Sequence, residues 1–197
     1  KTAWVLKCDI RKFFASVDQT TLLDVLTQYI PDKDIVALIA EIVGSFSSTG
    51  KGTGLPLGNL TSQLLVNVHM NEFDQFMKHK IKAKYYIRYA DDFVIMNQDK
   101  IVLQVTLVKI RDFLQHKLRL DLHPHKVFLK TLASGVDFLG WVHFPDHRIL
   151  RTSTKRRMLR KLTTDSRLEV LASYKGLLKH GNTHKLLNQI ESLSKQC

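Results

Sequence analysis

Three aspartates stand where they could do chemistry: Asp9 at the end of the apolar run Val5-Leu6-Lys7-Cys8-Asp9-Ile10, and Asp91 and Asp92 in Tyr89-Ala90-Asp91-Asp92. The second pair lies between Tyr85–Arg88 and Phe93–Met96, two short runs of strand-forming residues. If the three strands are neighbours, the carboxylates converge at one edge of an antiparallel sheet. Clustered carboxylates repel one another, and a bound divalent cation relieves the repulsion. Oxygen-only ligation suits Mg²⁺ best. The plain alternative is a turn-stabilising role, because Asp is common in hairpin turns. Apolar, strand-like flanks argue against a merely solvated loop.

The elements that must hold these residues follow from pattern and breakers. Asp18 is placed to cap a helix over residues 20–30, and Pro31-Asp32 ends it and starts another over 34–43. Residues 44–58 read as a loop, holding four of the nine glycines, Gly50, Gly52, Gly54 and Gly58. A helix over 60–79 follows, with Leu64, Val68, Phe73 and Met77 expected on its apolar face. After the acidic hairpin come a helix over 101–118 and strands over 127–132 and 136–144. Pro145-Asp146-His147 makes a turn, and helices begin near residues 154, 167 and 183, with Gly181 as a break. The order β-α-α-α-β-β-α-β-β, then helices, predicts an α+β fold: a ferredoxin-like antiparallel sheet covered by helices on one face.

Composition narrows the class. With 44% hydrophobic and 24% charged residues, the chain can build a core and is not expected to be disordered. The net charge of +12 favours a polyanionic partner, nucleic acid first. Residues 151–197 hold eleven Lys or Arg and three acids, which leaves +8 of that charge on the last quarter of the chain. A balanced body with a basic tail suggests chemistry in one and backbone grip in the other. Cys8 and Cys197 form no disulfide framework, so a reducing, cytoplasmic setting is expected. No signal peptide is read at the start, and Ile35–Val43 is too short to span a bilayer. His123 and His125 have zinc-like spacing but no complementary pair, so no structural zinc is expected.

Several segments carry a resemblance, in order and over nearly the whole chain, to reverse transcriptases. Tyr89-Ala90-Asp91-Asp92 resembles their Tyr-x-Asp-Asp box, and Val5–Phe14 the strand with the first catalytic aspartate. Gly54-Leu55-Pro56-Leu57-Gly58-Asn59-Leu60-Thr61-Ser62-Gln63 resembles the loop and helix between them. His123-Pro124-His125-Lys126 resembles the segment that brings a lysine near the incoming nucleotide, and Val136–Trp141 the primer-grip hairpin. Ser173-Tyr174-Lys175-Gly176 and Lys179-His180-Gly181-Asn182-Thr183 resemble the thumb of bacterial enzymes.

The resemblance implies an RNA-directed DNA polymerase with a palm over 1–150 and a basic, partial helical thumb over 151–197. Its implied metal set is Asp9, Asp91, Asp92 and the backbone carbonyl of Ile10, holding two Mg²⁺ ions, with Mn²⁺ as a substitute. Two such ions clamp the attacking and leaving oxygens of an in-line displacement. Lys126 is either a donor of charge and a proton to pyrophosphate or one more surface lysine. Phe14 matches the family's sugar gate, which selects dNTPs; the alternative is that Phe13 and Phe14 are both core, although strand alternation would bury only one. Leu57, Gly58 and Gln63 are implied nucleotide-binding residues, with Leu57 against the nascent base pair; Phe138, Leu139, Gly140 and Trp141 fall at the primer grip, and Arg156, Arg157, Arg160 and Lys161 on the nucleic-acid backbone. Implied partners are an RNA template, a DNA or RNA primer, dNTPs and an accessory protein, with no membrane.

Many relatives carry Gln before the last glycine of the loop and Ser-Pro after it. Here Leu57 precedes Gly58, and Ser62 is followed by Gln63. That departure resembles the enzymes of diversity-generating retroelements, which make errors opposite template adenines. Abortive-infection enzymes and unclassified bacterial relatives are alternatives, and group II intron and retron enzymes fit less well. The family has a fingers region ahead of the first catalytic strand, which here begins at residue 5, so fingers are expected to be missing. The competing reading is an RNA-binding or scaffolding module with a degenerate or incomplete polymerase fold.

Overall fold

The computed structural model describes residues 3–48, 50–165 and 167–194. Lys195 and Cys197 lie outside the described residues. The chain forms two compact units, Ala3–Leu129 and the residues from Lys130 on.

The first unit is built on a sheet of β1 (Trp4–Asp9), β2 (Tyr85–Tyr89), β3 (Asp92–Asn97) and β4 (Phe128–Thr131), in the order β2-β3-β1-β4. β1 and β2 both pair antiparallel with β3. The register sets Cys8, Phe93 and Arg88 on one face and Asp9, Asp92 and Tyr89 on the other. The fold is thus the expected mixed α+β arrangement.

Helices α1 (Phe13–Ser16), α2 (Gln19–Tyr29), α3 (Lys33–Gly44), α4 (Leu60–Gln75) and α5 (Lys100–Leu118) complete this unit. Asp18 and Asp32 cap α2 and α3, accepting from the amides of Thr21 at 2.8 Å and Asp34 at 2.9 Å. Asp99 does the same for α5 through Ile101 at 2.7 Å. Each cap satisfies helix amides that have no partner within the helix. The core joins Leu6, Cys8, Phe93 and Ile95 of the sheet to Met70, Phe73, Ile110 and Leu114 of the helices. Phe73 sits among Phe76, Tyr86, Phe93 and Phe113, with ring centroids 5.0–6.4 Å away.

Three expectations need correction. Leu64 is exposed, whereas Phe73 and Met77 are buried and Val68 partly buried against the core as expected; the buried face of α4 also takes in Ser62, Leu65, Val66, His69 and Met70. β2 is an edge strand whose Tyr85, Ile87 and Tyr89 are exposed, so the acidic turn is flanked by a buried strand on one side only. Phe13 and Phe14 lie in a short helix, not a strand, because Lys12 turns the backbone into the left-handed region (φ 45°) directly after β1.

The second unit holds a three-stranded antiparallel sheet, β5 (Val136–Phe138), β6 (Trp141–His143) and β7 (Arg148–Leu150), and helices α6 (Thr152–Thr164), α7 (Leu168–Leu178) and α8 (His184–Ser194). The expected 136–144 strand is a hairpin with a two-residue turn at Leu139-Gly140, both at positive φ. β7 was not anticipated. Trp141, Leu150, Met158, Leu178 and Ile190 form one core, so the hairpin expected with the palm packs together with the basic helices. Gly181 is obligatory here, since a Cβ would lie 2.1 Å from the Trp141 ring.

Candidate active site

The site is assembled at one end of the first sheet. The register places Asp9 directly opposite Asp92 across β1 and β3. Asp91 occupies the two-residue turn between β2 and β3, and its carbonyl accepts from the amide of Ile10 at 3.1 Å. The three aspartates expected to converge are therefore tied together through the backbone. Ala90, in the same turn, is left-handed (φ 53°), a conformation that two-residue hairpin turns call for and that costs a non-glycine residue energy.

The turn is braced from beneath. Arg88 grips Asp74 of α4 through two bonds of 2.8 and 2.6 Å, Tyr86 donates to the same carboxylate at 2.6 Å, and Arg88 also donates to the carbonyl of Ala90 at 3.0 Å. A bidentate pair of this kind fixes orientation as well as charge. This brace was not read from the sequence, although alternation along β2 puts Tyr86 and Arg88 on the same face.

Lys126 is delivered by a second tether. Arg11 donates to the Asp121 carbonyl at 2.9 Å, and His123 to the Asp9 carbonyl at 2.8 Å. From that anchored turn the Lys126 ammonium reaches both oxygens of Asp9, each at 3.1 Å. Lys7, two residues before Asp9 and so on the same strand face, lies 3.1 Å from Asp92. The sequence reading passed over Lys7, which the two-residue strand period could have disclosed.

Burial lifts the Asp91 carboxyl above its ordinary pKa, and the neighbouring Asp9 and Asp92 charges add to this. Among the described residues, no three carboxylate, imidazole or thiol groups form a closed metal cage. The fit to Mg²⁺ is of a different kind: carboxylates at one sheet end that repel each other, with ammonium groups balancing Asp9 and Asp92. Mg²⁺ commonly takes only one or two carboxylates and fills its shell with water and substrate phosphates.

The loop before α4 is tied to the segment after Asp9. Leu55 donates to the Phe14 carbonyl at 2.7 Å and Gly54 to that of Val17 at 2.8 Å. Buried Gln19 donates to the carbonyls of Val43, Phe46 and Gly54. Gly54 cannot be replaced without a clash, since a Cβ would lie 2.2 Å from the Ser48 hydroxyl. Leu57, Gly58 and Gln63 all stand exposed beyond this anchor. Phe13 is buried and Phe14 partly buried against the core, their rings edge to face at 5.4 Å. In the second unit, Phe138 and Trp141 are buried, Leu139 is exposed at the turn, and Arg156, Arg157 and Arg160 are exposed on α6. Lys161 pairs with Asp165 at 2.9 Å.

An antiparallel sheet that carries aspartates on a central strand and an adjoining hairpin, with helices on its other face, is a palm-like fold. The telomerase of Candida albicans, solved in complex with the TWJ fragment of telomeric RNA, superposes on 100% of this chain and 40% of its own, with TM-score 0.62 and 12% identity. The chain belongs to the reverse transcriptase family: the family model described as reverse transcriptase (RNA-dependent DNA polymerase) matches residues 1–143. Relatives include Protein YkfC of Escherichia coli K12, 25% identical over 82% of this chain and 50% of its own. The group II intron-encoded protein LtrA of Lactococcus lactis is 22% identical over 85% of this chain and 39% of its own. The retron Ec73 reverse transcriptase of E. coli is 30% identical over 51% of this chain and 34% of its own. The chain spans half or less of the length of these three relatives. No helix among the described residues is long and apolar enough to cross a membrane.

Proposed function

We propose that this chain is the palm and part of the thumb of an RNA-directed DNA polymerase that extends a DNA or RNA primer on an RNA template with dNTPs. The observation that carries this reading is the register Asp9↔Asp92 with Asp91 in the adjoining turn, in a chain of the reverse transcriptase family. Asp9 and Asp91 would hold Mg²⁺, with the Ile10 carbonyl and Asp92 beside them; the metal supplies charge for the attacking hydroxyl and the leaving pyrophosphate. The protein's own part is to position and to balance charge. Lys126, paired with Asp9 from an exposed turn, would face the phosphates as a donor of charge and a proton. Phe14, held through its carbonyl to the loop before α4, would exclude a 2′-hydroxyl. Phe138–Trp141 would steady the primer, while Arg156, Arg157, Arg160 and Lys161 bind phosphates. The test is extension of a labelled primer on matched RNA and DNA templates by the full-length protein with Mg²⁺ and dNTPs. Extension on RNA supports the reading; salt-sensitive RNA binding without extension favours the binding-module alternative.

The finer assignment is to diversity-generating retroelements, with an accessory protein of the element as partner. It rests on Leu57, whose exposed apolar side chain offers no hydrogen bond to a nucleotide. Leu57→Gln is expected to lower misincorporation opposite template adenines, since about 1.4 kcal/mol of added discrimination is tenfold. Sequencing cDNA from parent, Leu57→Gln and Leu57→Gln with Gln63→Pro checks this. Equal adenine error rates in all three would remove the loop as the source of infidelity.

A further inference from the structure

Three aspartates and two lysines meet at the sheet end, and the two lysines are not equivalent. Lys126 arrives from a turn and its side chain is 53% exposed, so its contact with Asp9 can open without disturbing the fold. Lys7 belongs to a central strand. Its side chain is 14% exposed, that of Asp92 is 20% exposed, and the ammonium sits 3.1 Å from Oδ2. Lys7 pairs across the sheet with Val94 and Asp9 with Asp92, so Lys7 is the diagonal neighbour of Asp92 on the face that carries the carboxylates. A lysine fixed by strand register beside a largely desolvated carboxylate is a standing counter-charge, because its backbone cannot move away and separating the pair would leave two partly desolvated charges uncompensated.

We propose that Lys7 is a positioning residue that holds Asp92 out of the metal shell, so that the two adjacent aspartates of the turn have different jobs: Asp91 binds metal with Asp9, and Asp92 is a charge-neutralised strut. This rests on the polymerase reading above and assigns a role to a residue outside the metal set. Two neighbouring carboxylates free to ligate would offer a cation competing arrangements, and only one can align the reacting oxygens. Engaging Asp92 with Lys7 leaves a single arrangement. Lys7 also lowers the negative potential at the site and so would weaken cation binding there.

A residue with a merely structural role would weaken metal binding, or leave it unchanged, when lost. Loss of Lys7 should strengthen it, because a nearby positive charge disappears and a carboxylate is released. The test compares Mn²⁺ binding, read by the electron paramagnetic signal of free Mn²⁺, with single-turnover primer extension in the full-length protein. Lys7→Met should bind Mn²⁺ about tenfold tighter while the extension rate falls about tenfold, a split of opposite sign. Lys7→Arg should bring both within about threefold of the parent. In Lys7→Met with Asp92→Asn, Mn²⁺ affinity should return to the parental value, and this variant serves if Lys7→Met alone does not fold. Unchanged or weaker Mn²⁺ binding in a Lys7→Met protein with parental melting overturns the proposal, as does loss of Mn²⁺ binding in the double variant. A parent that extends primers while either result holds sinks this inference alone. A parent that neither binds Mn²⁺ nor extends sinks the polymerase reading with it.

Discussion

In an Asp91→Asn variant, primer extension is expected to fall by at least about a thousandfold while affinity for template–primer changes less than about threefold. A thousandfold corresponds to about 4 kcal/mol of lost transition-state stabilisation, the scale expected when charge stabilisation in a partly dry site is removed. The amide is nearly isosteric, so the two-residue turn and its bond to Ile10 survive. The sign of the stability change is opposite to that of the activity change. Asp91's pKa is raised by burial first and by Asp9 and Asp92 second, so its ionised form burdens the metal-free fold. A carboxyl with a raised folded pKa loses stability as pH rises from its unfolded pKa through the folded one, and the deficit persists at neutral pH. Asn removes that deficit. Metal-free Asp91→Asn should therefore melt at or above the parental temperature, and Mg²⁺ should raise the parent's melting point but not the variant's. Filter binding and extension measured on the same preparations decide the matter: equal loss of binding and extension would mean that Asp91 acts through structure and not through metal.

The end of the sheet was legible in the sequence because its logic is local. A period-two strand ending in Asp9 and a two-residue turn between strand-like runs leave few ways to place Asp9, Asp91 and Asp92, and the register realises one of them. The same period puts Lys7 on the face of Asp9, so the Lys7–Asp92 pair was readable in principle. The contact of Lys126 with Asp9 was not. It depends on an isolated bridge between Ile10 and Leu122, two residues more than a hundred positions apart that carry no pairing pattern of their own. Phe13 and Phe14 lie in a helix because a left-handed Lys12 caps it without glycine or proline to announce the change, yet only Phe13 is fully buried, as strand alternation also implies. Phe73, Met77 and Val68 lie on the core side of this helix as their spacing implies, but one edge of the face differs, because buried Ser62 and His69 sit where an apolar count expects hydrocarbon while Leu64 lies outside. β7 is three residues long and begins with an arginine, too little to register as a strand.

The buried histidine on α4 makes the largest expected contribution to pH-dependent stability. His69 has no solvent exposure, and neither ring nitrogen makes a well-formed hydrogen bond among the described residues, the Leu118 backbone being only a weak partner to the ring. Burial pushes its pKa down from 6.5 to about 4; the Leu118 backbone, Asp18 and Glu72 favour the charged ring but offset only part of this. The folded protein therefore keeps the ring neutral, while the unfolded chain takes up a proton below 6.5. Stability is complete above the unfolded pKa and is lost as pH falls through the window from 6.5 to about 4, with a total on the order of 3 kcal/mol. That is a large share of what a domain of this size has to lose. His69→Leu removes the titration and leaves no unpartnered ring nitrogen, so its stability at pH 7 should differ little from the parent's. Urea unfolding at pH 7 and pH 4.5 should show the parent losing about 2–3 kcal/mol more than His69→Leu. Parallel losses, or a nuclear magnetic resonance titration of the His69 ring near its ordinary value, would remove the effect. The consequence for activity follows from where His69 sits. Two turns ahead of it, α4 begins at the loop that carries Leu57 and Gly58, and one turn after it comes Asp74, which braces the acidic turn through Arg88. Protonating His69 would drive α4 off the sheet and take both supports with it. Acid loss of extension should then track unfolding in the parent. In His69→Leu it should shift to the lower pH at which the carboxylates themselves are protonated, and the gap between the two profiles measures how much of the acid limit belongs to the fold and how much to the metal site.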